Sequence, residues 1–335
     1  MAIVMALGII TQGVLLNFFG FRFFNGILGE VLCIINLGLW SSFIVSFFLT
    51  LIDKKFIEIH FSNPLNRFGI GTWVASTSIC GILIYKQFNG NILAQVISYF
   101  NLLLWFLYII ISIYTYLEIH TKKHLKKVNG ILLLTTVSTQ SIVLLLNTVH
   151  SEVPDFLNNI LVISGLCFYL ISFIFILKRY KSIDSWSIEI DWNNTNCILH
   201  GALSITGLAS FMSHALSVPT MRFIWICAAI MFITIELIEI YRLVKRVQYF
   251  GLRRGVLIYD VSQWSRIFTF AMFYTFTYLM NFKSPYVKAI QDVIIQTGVW
   301  TILFLVLIET FLCISYIRNT FKKEPHNTVE TNLYI

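Results

Sequence analysis

Few side chains in this sequence could carry proton, metal or nucleophile chemistry, and those that could are embedded in apolar surroundings. Five acids lie inside long apolar runs: Glu30, Glu236, Glu239, Asp292 and Glu309. A carboxylate in such a place pairs with a partner, relays protons or binds a cation. Glu236 and Glu239 precede Arg242, Lys245 and Arg246, a spacing that predicts pairing along one helix. Glu309 sits deeper, and a packing hydrogen bond is its plain reading. Arg266 either anchors a helix end by snorkelling or attracts anions. His200 and His214 share one run. Histidine titrates near neutrality, so a proton-coupled transporter of organic acids with His200 as the titrating group stands as an alternative, against a hydrogen-bonded packing role. The six cysteines (Cys33, Cys80, Cys167, Cys197, Cys227, Cys313) form no CxxC pair and read as small packing residues rather than disulfides or metal ligands. No Ser-His-Asp arrangement and no metal-ligand spacing is present, so no catalytic residue, metal or cofactor is expected. A membrane-embedded transferase would need a His/Asp or acidic cluster at one interface, and none is seen.

The elements that must hold these residues are long and apolar. The chain has 335 residues, of which 57% are hydrophobic, 30 are Phe and only 12% are charged. A soluble domain carries about 25% charge, so a soluble enzyme and a disordered regulator are both excluded. The net charge of +8 is scattered between apolar runs rather than gathered on a polar face, so no nucleic-acid partner is expected. Ten runs approach or exceed the roughly 20 residues that a bilayer-crossing helix needs: 1–19, 27–51, 68–85, 91–117, 130–148, 156–177, 197–215, 220–244, 262–280 and 289–317. They are continuous and do not alternate as barrel strands would. The expectation is an all-α polytopic membrane protein with ten transmembrane helices, a membrane domain over 1–317 and a cytoplasmic tail over 318–335. The runs 197–215 and 262–280 are the most interrupted by polar residues.

The basic residues give an independent reading. With Arg222 and Arg242 counted in the loops they adjoin, the even-to-odd connections and the tail hold 18 Lys and Arg, and the odd-to-even connections hold 5. Positive loops stay inside. Both termini are therefore expected in the cytoplasm, with the chain in the plasma (cell) membrane. The sequon Asn193–Thr195 then lies on the cytoplasmic side and is discounted.

Ser, Thr, Asn, Gln and Gly make up 33 of 94 residues in the odd runs and 27 of 128 in the even runs. All five intramembrane acids lie in even runs. An inner layer of odd helices, hydroxylated and free of carboxylates, suits an anion path better than a cation path. The candidate lining residues are Gly8, Thr11, Gln12, Gly71, Thr72, Ser76, Thr135, Thr139, Gly201, Ser204 and Thr269. The competing reading is that small residues merely let helices approach closely.

Several odd runs carry recognisable strings: IVMALGIITQGVLL (3–16), PLNRFGIGTWVAST (64–77), TTVSTQSIVLL (135–145), HGALSITGLA (200–209) and YDVSQWSRIFTFAMF (259–273). In order and spacing they resemble helices one, three, five, seven and nine of the tellurite-resistance/dicarboxylate transporter family, which includes the slow anion channels. The resemblance implies five helical hairpins around a central pore, assembled as a homotrimer of independent pores. It implies a channel or facilitative transporter for small anions or organic dicarboxylates, with the pore gate at Phe268. The sequence departs from the family pattern at Thr269, where Pro is usual, and at Ala271, where Gly is usual. Its odd runs also contain no Pro.

Overall fold

The computed structural model describes residues 1–88, 91–121, 124–183 and 186–322, so residues 323–335 of the expected tail lie outside the described residues. Ten long helices follow one another: α1 (Ala2–Phe19), α2 (Ile27–Ile52), α3 (Gly71–Phe88), α4 (Asn91–Thr121), α5 (Leu134–Val149), α6 (Asp155–Lys181), α7 (Ile198–Ser213), α8 (Val218–Gly255), α9 (Ser262–Leu279) and α10 (Pro285–Lys322). No strand occurs among the described residues. Eight of these helices, counting the short turns Pro64–Phe68 before α3 and Gly130–Leu133 before α5, are long and apolar enough to cross a membrane. The expectation of ten counted two more. α7 has 16 residues, and α9 has an Arg and six Ser, Thr or Gln side chains in its 18 residues. Neither has both the length and the apolarity of a self-sufficient span, because both are sheltered by other helices rather than by lipid.

The packing separates two layers. α1 lies against α3, α3 against α5, α5 against α7, α7 against α9, and α9 against α1, which closes a ring of five. The remaining helices pack on its outside: α2 against α1 and α3, α4 against α3 and α5, α6 against α5 and α7, α8 against α7 and α9, and α10 against α9. Burial follows the same division. The spans of α1, α3 and α5 are 67%, 78% and 83% buried, whereas those of α2, α4, α6, α8 and α10 are 11–33% buried. Apolar side chains such as Phe48, Phe100 and Phe304 stand exposed on the outer helices, the surface that a bilayer covers.

Loop contacts gather the basic connections at one end. Arg67 pairs with Glu118 at 2.5 Å. Arg179 donates to the Lys126 and Asp191 carbonyls, and Asn194 donates to Asp260. These bonds tie together the connections before α3, α5, α7 and α9. At that end each of the four helical segments begins under an Asx side chain. Asn63, Asn129, Asn193 and Asp260 accept from the backbone N–H two residues on, at Leu65, Ile131, Thr195 and Ser262. Such a cap satisfies one of the four free N–H groups of a helix start. The opposite end is held by Ser98 with His150 and by Arg222 donating to the Asn281 carbonyl.

Candidate permeation path

α9 shows how the ring is made. A Cβ built on Gly201 of α7 would lie 2.1 Å from Thr269 Cγ2, and one on Gly13 of α1 would lie 2.5 Å from Thr275 Oγ1. The edge of α9 bearing Thr269 therefore meets α7, and the edge bearing Thr275 meets α1. The outer side carries Phe270 and Phe273, packed on Phe232 of α8 at ring-centre distances of 4.8 and 5.0 Å. Tyr274 is also on the outer side, against Gly298 of α10. Phe268 is 2% exposed.

The ring is tightly closed. Residues 132–146 on and before α5 and 196–210 on and before α7 are buried at every position, so neither helix has a face open to water over that length. The hydroxyls are satisfied internally. Ser204, Thr206 and Ser210 donate to carbonyls four residues back on α7, and Thr275 does the same on α9.

The candidate residues fall into distinct settings. Gly8 abuts Ile79 and Asn36, and Gly71 abuts Tyr108 and the Leu134 carbonyl. Thr135 bonds the Tyr116 hydroxyl (3.0 Å), and Thr139 accepts from Trp105 Nε1 (3.0 Å), both on α4. Thr72 donates to the Gly69 carbonyl and Ser76 to the Trp73 carbonyl. Thr269 donates to the Arg266 carbonyl, and His200 Nε2 stands 3.5 Å from its hydroxyl. The His200 ring packs against Phe232 and Phe270, and its Nδ1 has no partner. His214 ends α7 in the left-handed conformation, φ 54°. Thr11 and Gln12 lie in a π-helical turn, Ile10–Leu15, that interrupts α1. Thr11 donates to the Leu7 carbonyl. Gln12 is 8% exposed, and its Oε1 has no hydrogen-bond partner.

Arg266 is held more firmly than its sequence position indicated. Its Nη2 lies 2.7 Å from Glu239 Oε1, and its Nε lies 3.8 Å from Glu236 Oε1. Glu239 also accepts from Trp192 Nε1 at 2.8 Å and pairs with Arg242 at 3.5 Å. The two acids thus pair across helices to α9, beyond the pairing along α8 that their spacing predicted. Lys245 instead stands over the Tyr241 ring, and Arg246 donates to the Gly255 carbonyl. In the nearby connection, burial pushes the Tyr259 phenol up to about 12. The acidic clamp was not read from the sequence, although the three-residue spacing from Glu236 to Glu239 to Arg242 was its visible trace.

The family model for voltage-dependent anion channels matches residues 1–313. The chain belongs to the voltage-dependent anion channel family. Membership identifies a multi-pass membrane protein of the anion channel and transporter class, in agreement with the apolar helices and the carboxylate-free inner ring. The members of this family are channels and transporters rather than enzymes. A search of characterised proteins returns no match.

Proposed function

We propose that α1, α3, α5, α7 and α9 enclose a path for small anions or organic dicarboxylates, and that Phe268 occludes it. On this reading all ten helices cross the plasma membrane as five hairpins, with three chains assembling around independent pores. The observation that carries it is the position of Phe268 on α9. At about 100° per residue, it falls in the arc between Thr275, which meets α1, and Thr269, which meets α7. Phe270, Phe273 and Tyr274 occupy the opposite arc. The inner arc also holds Ser265, Met272 and Phe276; Met272 lies one turn beyond Phe268, and Phe276 packs on Gly207 of α7. A large apolar side chain in a narrow path excludes water and denies an ion the contacts that would replace its hydration.

The chemistry of the inner helices supports anions. They carry no carboxylate, and their Ser and Thr hydroxyls can rotate from a carbonyl to donate to a passing anion. His200 stands toward α8, which favours this reading over proton-coupled exchange. Purified protein in proteoliposomes under a salt gradient tests it, with chloride, malate and sulfite compared. The reversal potential should move toward the anion equilibrium value. A shift toward the cation value would overturn the assignment.

A further inference from the structure

Two cavities outside the inner ring meet at one pair of residues. The first, about 310 Å³, opens at the basic end between α8, α9 and their connection. It is lined by Asn194, Arg242, Arg246, Asp260 and Gln263, together with Glu236 and Arg266. The second, about 460 Å³, also contains Glu236 and Arg266, and runs from them into an apolar groove. α9 floors that groove with Phe270, Phe273 and Tyr274, and its walls are Phe232 of α8 and Ile294 and Leu305 of α10. The site is polar at the membrane surface, where Arg242, Arg246 and Arg266 stand among Glu236, Glu239 and Asp260, and apolar and aromatic below it. From Arg266 to Tyr274 the groove descends about 12 Å along α9, close to the roughly 15 Å depth of one leaflet's hydrocarbon.

The charges in the mouth are unevenly satisfied. Glu239 is ion-paired with Arg266 and Arg242, and Glu236 with Arg266, while Glu236 Oε1 and Arg266 Nε and Nη2 make no hydrogen bond. Asp260 is held by Ser262 and Asn194. Arg242 is 7% exposed, and its Nε has no hydrogen-bond partner. No acidic side chain among the described residues pairs with Arg246. Its Nε reaches only the Gly255 carbonyl, brought over it where α8 kinks at Gly251, φ 72°. Lys245, Arg253 and Arg254 lie close in sequence to Arg246 and Gly255 and add positive charge to this segment. Basic pockets between helix ends bind anionic headgroups.

We propose that this cleft holds one phospholipid with an anionic headgroup, its phosphate at Arg246 and Arg242 and one acyl chain in the groove between α8 and α10. The two cavities share Glu236 and Arg266 in their linings, and this adjacency of a polar and an apolar cavity favours a lipid over a free anion, which would leave the apolar half empty. Native mass spectrometry of the purified full-length protein tests this with dioleoylphosphatidylglycerol, dioleoylphosphatidylcholine and inorganic phosphate as probes. Arg246→Ala removes a headgroup contact. Thr301→Trp, at an exposed position lining the groove, fills the tail site. Lys283→Ala alters charge at the opposite end, and thermal unfolding verifies that each variant is folded. Phosphatidylglycerol should bind better than phosphatidylcholine, with affinity about tenfold lower in both Arg246→Ala and Thr301→Trp and unchanged in Lys283→Ala. Phosphatidylglycerol binding unaltered by Thr301→Trp, or fully displaced by inorganic phosphate, would overturn the lipid assignment. An oligomer that dissociates in Thr301→Trp while lipid binding is unchanged would make the groove a contact between copies and also overturn it.

Discussion

Phe268 differs from its aromatic neighbours in what its removal would expose. Phe273 stacks on Phe232 and on Trp225, and Phe270 packs on Phe232 and His200. Truncating either opens a hole in an aromatic cluster between helices, at a cost of about 3–5 kcal/mol where burial is complete. On the proposed reading Phe268 fills a path rather than a core, so Phe268→Ala should raise anion flux and leave the protein folded. Phe270→Ala and Phe273→Ala should lower thermal stability with little gain in flux. Flux into proteoliposomes, read beside unfolding temperature, separates the cases. Folded Phe268→Ala with unchanged or lower flux would remove the plug assignment. At this scale the sequence was partly legible. It marked Phe268 through a family string and Arg266 through its rarity. It could not supply Glu239 as the partner of Arg266, or Trp192 as a second partner of Glu239, because those contacts join residues far apart in the chain.

The inner helices are set at their spacing by residues without side chains. At Gly201 an added methyl would meet Thr269 at its Cγ2, its Cβ (2.6 Å) and its Cα (3.2 Å). Backbone stands directly behind the side chain, so α7 and α9 would have to separate. Gly201→Ala should therefore destabilise the protein by about 1–3 kcal/mol, measured as a lower unfolding temperature. Gly38 of α2 has nothing within 4 Å, and Gly38→Ala should be neutral or slightly stabilising. An equal loss in both variants would sink the close-contact argument. The excess of small and hydroxylated residues in the odd runs thus records close packing at Gly8, Gly71 and Gly201, as well as membership of the inner ring. Helix identity and order were legible because apolar runs and their interruptions are local properties. The π-helical turn in α1 was not legible, since the segment ITQGVL contains no Pro and reads as ordinary helix. The sheltered setting of α7 and α9 was not legible either. Their polar residues are sheltered by a second layer that no local window contains.

For the whole molecule, the division of basic residues is the strongest statement about orientation. The connections before α3, α5, α7 and α9 meet at one end, and that end carries the excess of Lys and Arg. Reporter fusions after Lys127 and Arg254 should report the cytoplasm, and one after Asp155 the exterior. An exterior signal from the C-terminal tail would overturn the orientation. The same end has an electrostatic character that formal charges do not express. The four inner helical segments that begin there point the positive ends of their peptide dipoles the same way, each worth about half an elementary charge. Three of the four start under a neutral Asn rather than an Asp. An amide satisfies the free N–H without cancelling the field, so the mouth keeps a positive potential made of backbone alone. Salt screens side-chain charge at the rim over about 8 Å, whereas on the proposed reading dipoles embedded in the bundle would keep their pull on an anion inside the path.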